Sequence, residues 1–197
     1  MTETSPRLVT WENGTDLVIE LPVARDIETV WNALTDSGSA GAWFAPFRLG
    51  EGDDSGDDSA DDSTDEPSAL PITFELEDAD LNGSVLSCEE YDHVLLELEA
   101  FGVVGVRLVP AGGEAADAGE ETLLVFTHTA ADVDSARAQA ADFGPMWDTH
   151  LRLFARSLGL DVAEATEPEL DAAYADLDVE TADSAGGFPS VIAGDDA

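Results

Sequence analysis

The chain has 197 residues, 44% of them apolar, and a formal net charge of -37, with seven basic residues that are all arginine. That length and apolar content suit one buried domain with extensions better than two domains. A chain this acidic lacks the clustered cations that phosphate contacts require, which excludes nucleic acid and anionic membrane surfaces as partners.

The acid is unevenly placed. Residues 51–67 carry nine acids and residues 161–197 carry eleven with no base. Cys88 is the single cysteine, so no internal disulfide forms, as expected of a reducing cytoplasm. The opening residues lack a signal peptide's basic and apolar regions, and no apolar run is long enough for a membrane span, so the expected location is cytoplasmic.

In chain order, Arg7–Trp11 and Leu17–Leu21 are β-prone runs around Asn13-Gly14, a strong hairpin signal. Pro22 is expected to end the second strand. Asp26 then stands where an N-cap belongs, ahead of Ile27, Val30, Trp31 and Leu34 at helical spacing, which predicts a helix over 26–35. Trp43-Phe44-Ala45-Pro46-Phe47 is too short for an ordinary helix and reads as a loop or single turn covering one end of a sheet. Residues 51–68 repeat a Asp-Asp-Ser unit with no large apolar side chain, so burial cannot offset the entropy of ordering them. They read as a disordered acidic insertion; the glycine and glutamate positions of a calcium-binding EF-hand loop are missing.

From Leu70 strand signals return. Ile72, Phe74 and Leu76 alternate with polar residues, Asn82-Gly83 reads as a turn, and runs at 85–88, 94–101, 103–109 and 122–129 complete an antiparallel meander. Residues 130–141 suggest a short helix. The main helix follows over 141–160, with Gly144-Pro145 as its start or a bend. Its apolar face carries Phe143, Trp147, His150, Leu151, Phe154 and Leu158 at spacings of three and four, with Asp148, Arg152 and Arg156 turned to water. Residues 168–177 could add a short helix whose docking is left open, and the rest of 161–197 reads as a largely disordered acidic tail. A helix face this broad needs a partner, and strands are what precede it. The expected fold is therefore α+β, a curved antiparallel sheet packed around a long C-terminal helix, in one domain over 1–160.

Trp43, Phe44, Phe47, Phe74, Phe126, Phe143, Trp147 and Phe154 either line a pocket between helix and sheet or fill it. His128 and His150 lie on the same apolar faces, and the ligand-binding reading takes all ten residues. His93 falls in a turn, and Cys88 reads as a small core residue. No nucleophile with a neighbouring base is legible, nor an oxyanion motif, a phosphate-cradling glycine loop or metal-ligand spacing. No catalytic residue, metal ligand or cofactor is therefore assigned.

Val23 to Asp36 with Trp43-Phe44, Asn82-Gly83-Ser84-Val85-Leu86, Glu121 to Thr129, and Gly144 through Trp147 to Leu151 and Leu158 together resemble the START-like (SRPBCC) superfamily. The branch they resemble is the one named for the activator of Hsp90 ATPase homologue 1. The resemblance covers about residues 7–160 and implies a helix-grip, the START/Bet v 1-like arrangement, often with a cavity for an apolar small molecule. Residues 51–67 and 161–197 have no counterpart in the family pattern, and two extra residues separate Gly144 from Trp147. The superfamily holds carriers, receptors, cyclases and chaperone activators, so two readings stand. One is binding of an apolar small molecule, as carrier or sensor or, less readily, as a cyclase- or aromatase-like enzyme; the other is engagement of a chaperone or other protein.

Overall fold

The computed structural model describes residues 2–50, 69–111 and 121–182. The expected disordered insertion at 51–68 lies outside the described residues, as does the tail beyond residue 182.

β1 (Ser5–Trp11) and β2 (Gly14–Val23) form the hairpin that Asn13-Gly14 announces. β2 runs through Pro22. Beyond Ser5↔Glu20 it has left β1 and keeps β8 as its partner, a place where a residue without an N–H is tolerated. α1 (Ile27–Thr35) is capped by Asp26, whose Oδ1 accepts the Thr29 N–H at 2.8 Å. α2 (Ser37–Ala40) is a single turn, and the chain passes through Trp43 and Phe44 into β3 (Phe47–Leu49).

β4 (Leu70–Glu75), β5 (Asp80–Glu89), β6 (His93–Leu98), β7 (Gly102–Pro110) and β8 (Thr122–Ala130) make the antiparallel meander. The turn expected at Asn82-Gly83 is not there: both residues lie inside β5, and the chain reverses between Leu76 and Ala79. Gly83 answers a packing need. A Cβ on it would stand 2.4 Å from the Glu97 carbonyl oxygen and 2.7 Å from a Leu98 methyl, so β6 approaches too closely for any side chain. Cys88, expected in the core, is exposed, one pair in from the end of the β5–β6 hairpin.

α3 (Val133–Ser157) is one helix of 25 residues, capped by Asp132, so the separate helix over 130–141 and a start at Gly144 are both corrected. Pro145 removes one backbone hydrogen bond in its interior, and burial of Ala136, Ala140, Trp147, Leu151 and Phe154 against the sheet holds the helix through it.

The tail expectation is also corrected for its first part. α4 (Glu167–Tyr174) and β9 (Val179–Thr181) belong to the domain, with Val162, Leu170, Tyr174 and Leu177 buried. Among the described residues the sheet has nine strands in the order β3-β4-β5-β6-β7-β8-β2-β1-β9. It is antiparallel except for the pairing of β1 with β9. No helix among the described residues is long and apolar enough to cross a membrane.

Candidate functional site

Alternation along β8 turns Leu124, Phe126 and His128 toward α3, and helical spacing brings Phe143, Trp147, His150 and Phe154 to meet them. The stretch after α2 supplies Trp43, Phe44 and Phe47, and β4 supplies Phe74. All ten residues singled out in the sequence thus join one continuous cluster. Trp147 is its centre, 5% exposed, with ring centroids of Phe126 at 4.9 Å, Phe101 at 5.1 Å, Phe44 at 5.9 Å, His128 at 6.3 Å and His150 at 6.4 Å. Phe44 packs edge-on against Phe74 at 5.1 Å and His150 at 5.0 Å, Phe47 lies 5.7 Å from Phe74, and Trp43 lies 5.3 Å from Phe154.

Phe101 is the member that sequence reasoning missed. It ends the β6–β7 turn just before Gly102, whose φ is +77°, and its ring meets Phe143 at 5.4 Å. An aromatic residue directly before a glycine in a hairpin turn was the available signal.

Polar groups within this apolar cluster define its chemistry. His150 Nδ1 donates to the Trp43 carbonyl at 2.7 Å, fastening the α2–β3 connection to the long helix. His128 is 0% exposed, and its Nε2 donates to the Phe101 carbonyl at 2.7 Å. Burial holds its imidazole below the ordinary histidine range, against a smaller opposing effect of that hydrogen bond. The ring is therefore neutral, and Nδ1 carries a lone pair. That nitrogen is buried without a partner, and so are the indole Nε1 atoms of Trp43 and Trp147. Two donors and one acceptor are thus left open within one ring cluster, each costing about 1–3 kcal/mol while unpaired. Outside the cluster, Asp16 is held by Thr129 and Trp11, and Gln139 Oε1 is buried without a partner.

The rings pack on one another, and two surface hollows lie apart from them. One, of about 580 Å³, is lined by Thr29, Asn32, Ala33, Asp36, Ser39 and Leu158. The other, of about 570 Å³, is walled by Arg7, Glu20 and residues 176–178 and 180. On the far flank of α3, Asp148 and Arg152 do not face water as expected. Asp148 is 1% exposed and accepts from Thr4 Oγ1 at 2.7 Å, Tyr174 Oη at 2.9 Å and Arg152 Nε. Arg152 also donates to the Ala163 carbonyl at 2.6 Å. Gly144 makes room for this arrangement, since a Cβ there would stand 2.1 Å from the Tyr174 ring.

No family model matches the chain, and no curated protein does. Solved structures do. The Enterococcus faecalis protein EF2215, described as a conserved protein of unknown function, superposes with a TM-score of 0.59 at 15% identity over 86% of this chain and 88% of its own. The solution structure of CalU16 from Micromonospora echinospora gives 0.59 at 19% identity over 88% and 94%. The BPP1335 product of Bordetella parapertussis gives 0.54 at 19% over 84% and 87%. Likeness at such identities speaks for architecture, and it agrees with the sheet and the long helix described above: the chain has the helix-grip fold.

Proposed function

We propose that the domain binds a largely apolar small molecule carrying polar groups, taken up among the rings between α3 and the sheet, as a carrier or sensor. The observation that supports this reading is the trio of buried, unpaired polar atoms on Trp43, Trp147 and His128. An interior meant only to be packed has no use for three open hydrogen-bonding positions, whereas a bound molecule with two acceptors and a donor would satisfy them. Entry is by displacement of the Trp43–Phe44 stretch. That stretch carries two half-buried rings and is tied to α3 through the single His150–Trp43 hydrogen bond between side chain and backbone.

Native mass spectrometry of freshly purified protein tests this, paired with titration by an environment-sensitive apolar dye. A small-molecule mass lost on denaturation, or saturable dye binding that weakens in Trp43→Ala, is the expected result. A bare protein that binds no dye would overturn the reading and leave engagement of a protein partner, as the resemblance to the chaperone-activator branch suggests.

A further inference from the structure

A serine, a histidine and an aspartate stand hydrogen-bonded on the outer face of the sheet, on the side opposite the ring cluster. Val94 and Leu96 pack on the core, which turns their β6 neighbours His93 and Leu95 to the outer face. Arg107 lies opposite His93 on β7. In a regular strand Ser87 would not join them, because Val85 packs on the core opposite Leu96 and the residue two further along would face inward too. Instead the register slips by one residue between Val85 and Ser87. Ser87 then opposes Leu95, and Glu89 opposes His93. A bulge of this kind re-aims the side chains that follow it.

The spacing is that of a proton relay. His93 Nδ1 lies 2.6 Å from Asp92 Oδ2, and His93 Nε2 lies 2.8 Å from Ser87 Oγ. A carboxylate only accepts, so Nδ1 carries the proton and donates it to Asp92. In the neutral ring Nε2 then has the lone pair that accepts the Ser87 hydroxyl. The hydrogen bond from His93 holds the Asp92 carboxyl below its usual range, and Arg107 donates to its other oxygen at 3.3 Å. The Asp92 carbonyl in turn accepts the Leu108 N–H at 2.7 Å, which ties this turn to β7. The His93 side chain is 15% exposed, enough to be reached and enclosed enough to be held in one orientation.

We propose that Ser87, His93 and Asp92 form an acyl-transfer site for small neutral esters. Anionic esters are disfavoured because the Glu89 carboxylate lies within 4.8 Å of the Asp92 and His93 ligand atoms and the chain carries a net charge of -37, so a neutral ester is the simplest substrate. Small ones are specified because the site lies on the outer face of the sheet, where the His93 side chain is largely enclosed by its neighbours. In the first step His93 Nε2 takes the Ser87 proton as Oγ bonds to the ester carbonyl carbon. The adduct collapses by breaking the bond to the alcohol oxygen, which leaves with the proton from His93. Water then gives a proton to His93 and adds to the acyl carbon. Ser87 Oγ departs, regains the proton, and a carboxylic acid is released.

Glu89, Asp92 and His93 are also residue types that ligate metals. Both imidazole nitrogens are already engaged and Asp92 is shared with Arg107, so the relay accounts for the observed contacts where a cation would have to break them.

The test uses the full chain, a fluorophosphonate probe that labels activated serines, and hydrolysis of p-nitrophenyl acetate. The expected result is a single phosphonylated peptide at Ser87. Hydrolysis is expected to fall about a hundredfold or more in Ser87→Ala and in His93→Gln, with unfolding curves for both variants matching the parent. An unlabelled Ser87 with equal hydrolysis in all three proteins would overturn the proposal. So would hydrolysis that EDTA abolishes and zinc restores, which would assign the chemistry to a metal on Glu89, Asp92 and His93.

Discussion

The two flanks of α3 differ in one respect that bears on function. On the flank facing α4, Asp148 accepts three hydrogen bonds and Arg152 reaches Asp148, the Ala163 carbonyl and Thr4 Oγ1, so the polar groups are satisfied by the chain itself. On the face toward the sheet, the indole nitrogens of Trp43 and Trp147 and the Nδ1 of His128 have no partner. The first flank is complete as it stands and serves to fasten residues 2–4 and 162–174 to the helix. The second is apolar in shape but open in hydrogen bonding, and the proposed uptake of a small molecule rests on that difference.

The comparison can be broken first on the closed flank. Asp148→Ala removes the acceptor shared by Thr4, Arg152 and Tyr174 and leaves a guanidinium partly buried without its counter-ion. A loss of about 3–5 kcal/mol is expected from chemical denaturation. On the open face, Trp147→Ala should cost about 3–5 kcal/mol, because the ring is in contact with five others and its removal leaves a cavity. Leu151→Ala, one turn on and 4% exposed, should cost about 2–5 kcal/mol and serves as the control. A Trp147→Ala loss far below the Leu151→Ala loss would mean that an open cavity already borders the indole.

Smaller effects sharpen the contrast. Tyr174→Phe keeps the ring over Gly144 and removes only the hydroxyl that donates to Asp148, so denaturation should show a loss of about 1.5–3 kcal/mol. The smallest expected effect is a pH dependence. Burial depresses the folded-state titration of His128 from its ordinary value of 6.5, so the unfolded chain takes up that proton first. Its contribution to stability is fully present above pH 6.5 and is lost as the pH falls from there toward the folded-state value. Melting curves across that window should show a slope in the parent that is reduced in His128→Leu.

What was legible in the sequence follows from periodicity. The Asn13-Gly14 hairpin, the Asp26 cap, the alternating strands and the apolar stripe of α3 are local patterns, and the structure keeps them. Phe74, Phe126, His128, Phe143, Trp147, His150 and Phe154 come together for the same reason, and the aromatic run at 43–47 joins them from the α2–β3 connection. Features decided by distant partners were not legible. Asp148 reads as a solvent-facing helix residue until Thr4, 144 positions away, and Tyr174, 26 positions away, close over it. Asn82-Gly83 has turn chemistry, but the proximity of β6 is what requires the glycine. The pairing of Ser87 with His93 depends on a one-residue bulge that no dipeptide announces. Residues 162–182 lack a long apolar stripe and dock through four well-separated side chains, Val162, Leu170, Tyr174 and Leu177.

Among the four tryptophans, two are placed in the ring cluster and two outside it, which makes their indole N–H groups the most direct reporters of ligand uptake. Nitrogen-resolved NMR spectra recorded while an apolar dye with carbonyl groups is added should move the Trp43 and Trp147 signals as their open donors find acceptors. Trp31, packed on Tyr91, and Trp11, at the end of β1, should stay in place. Saturating dye that leaves all four signals unmoved, or shifts Trp11 and Trp31 alone, would contradict the account.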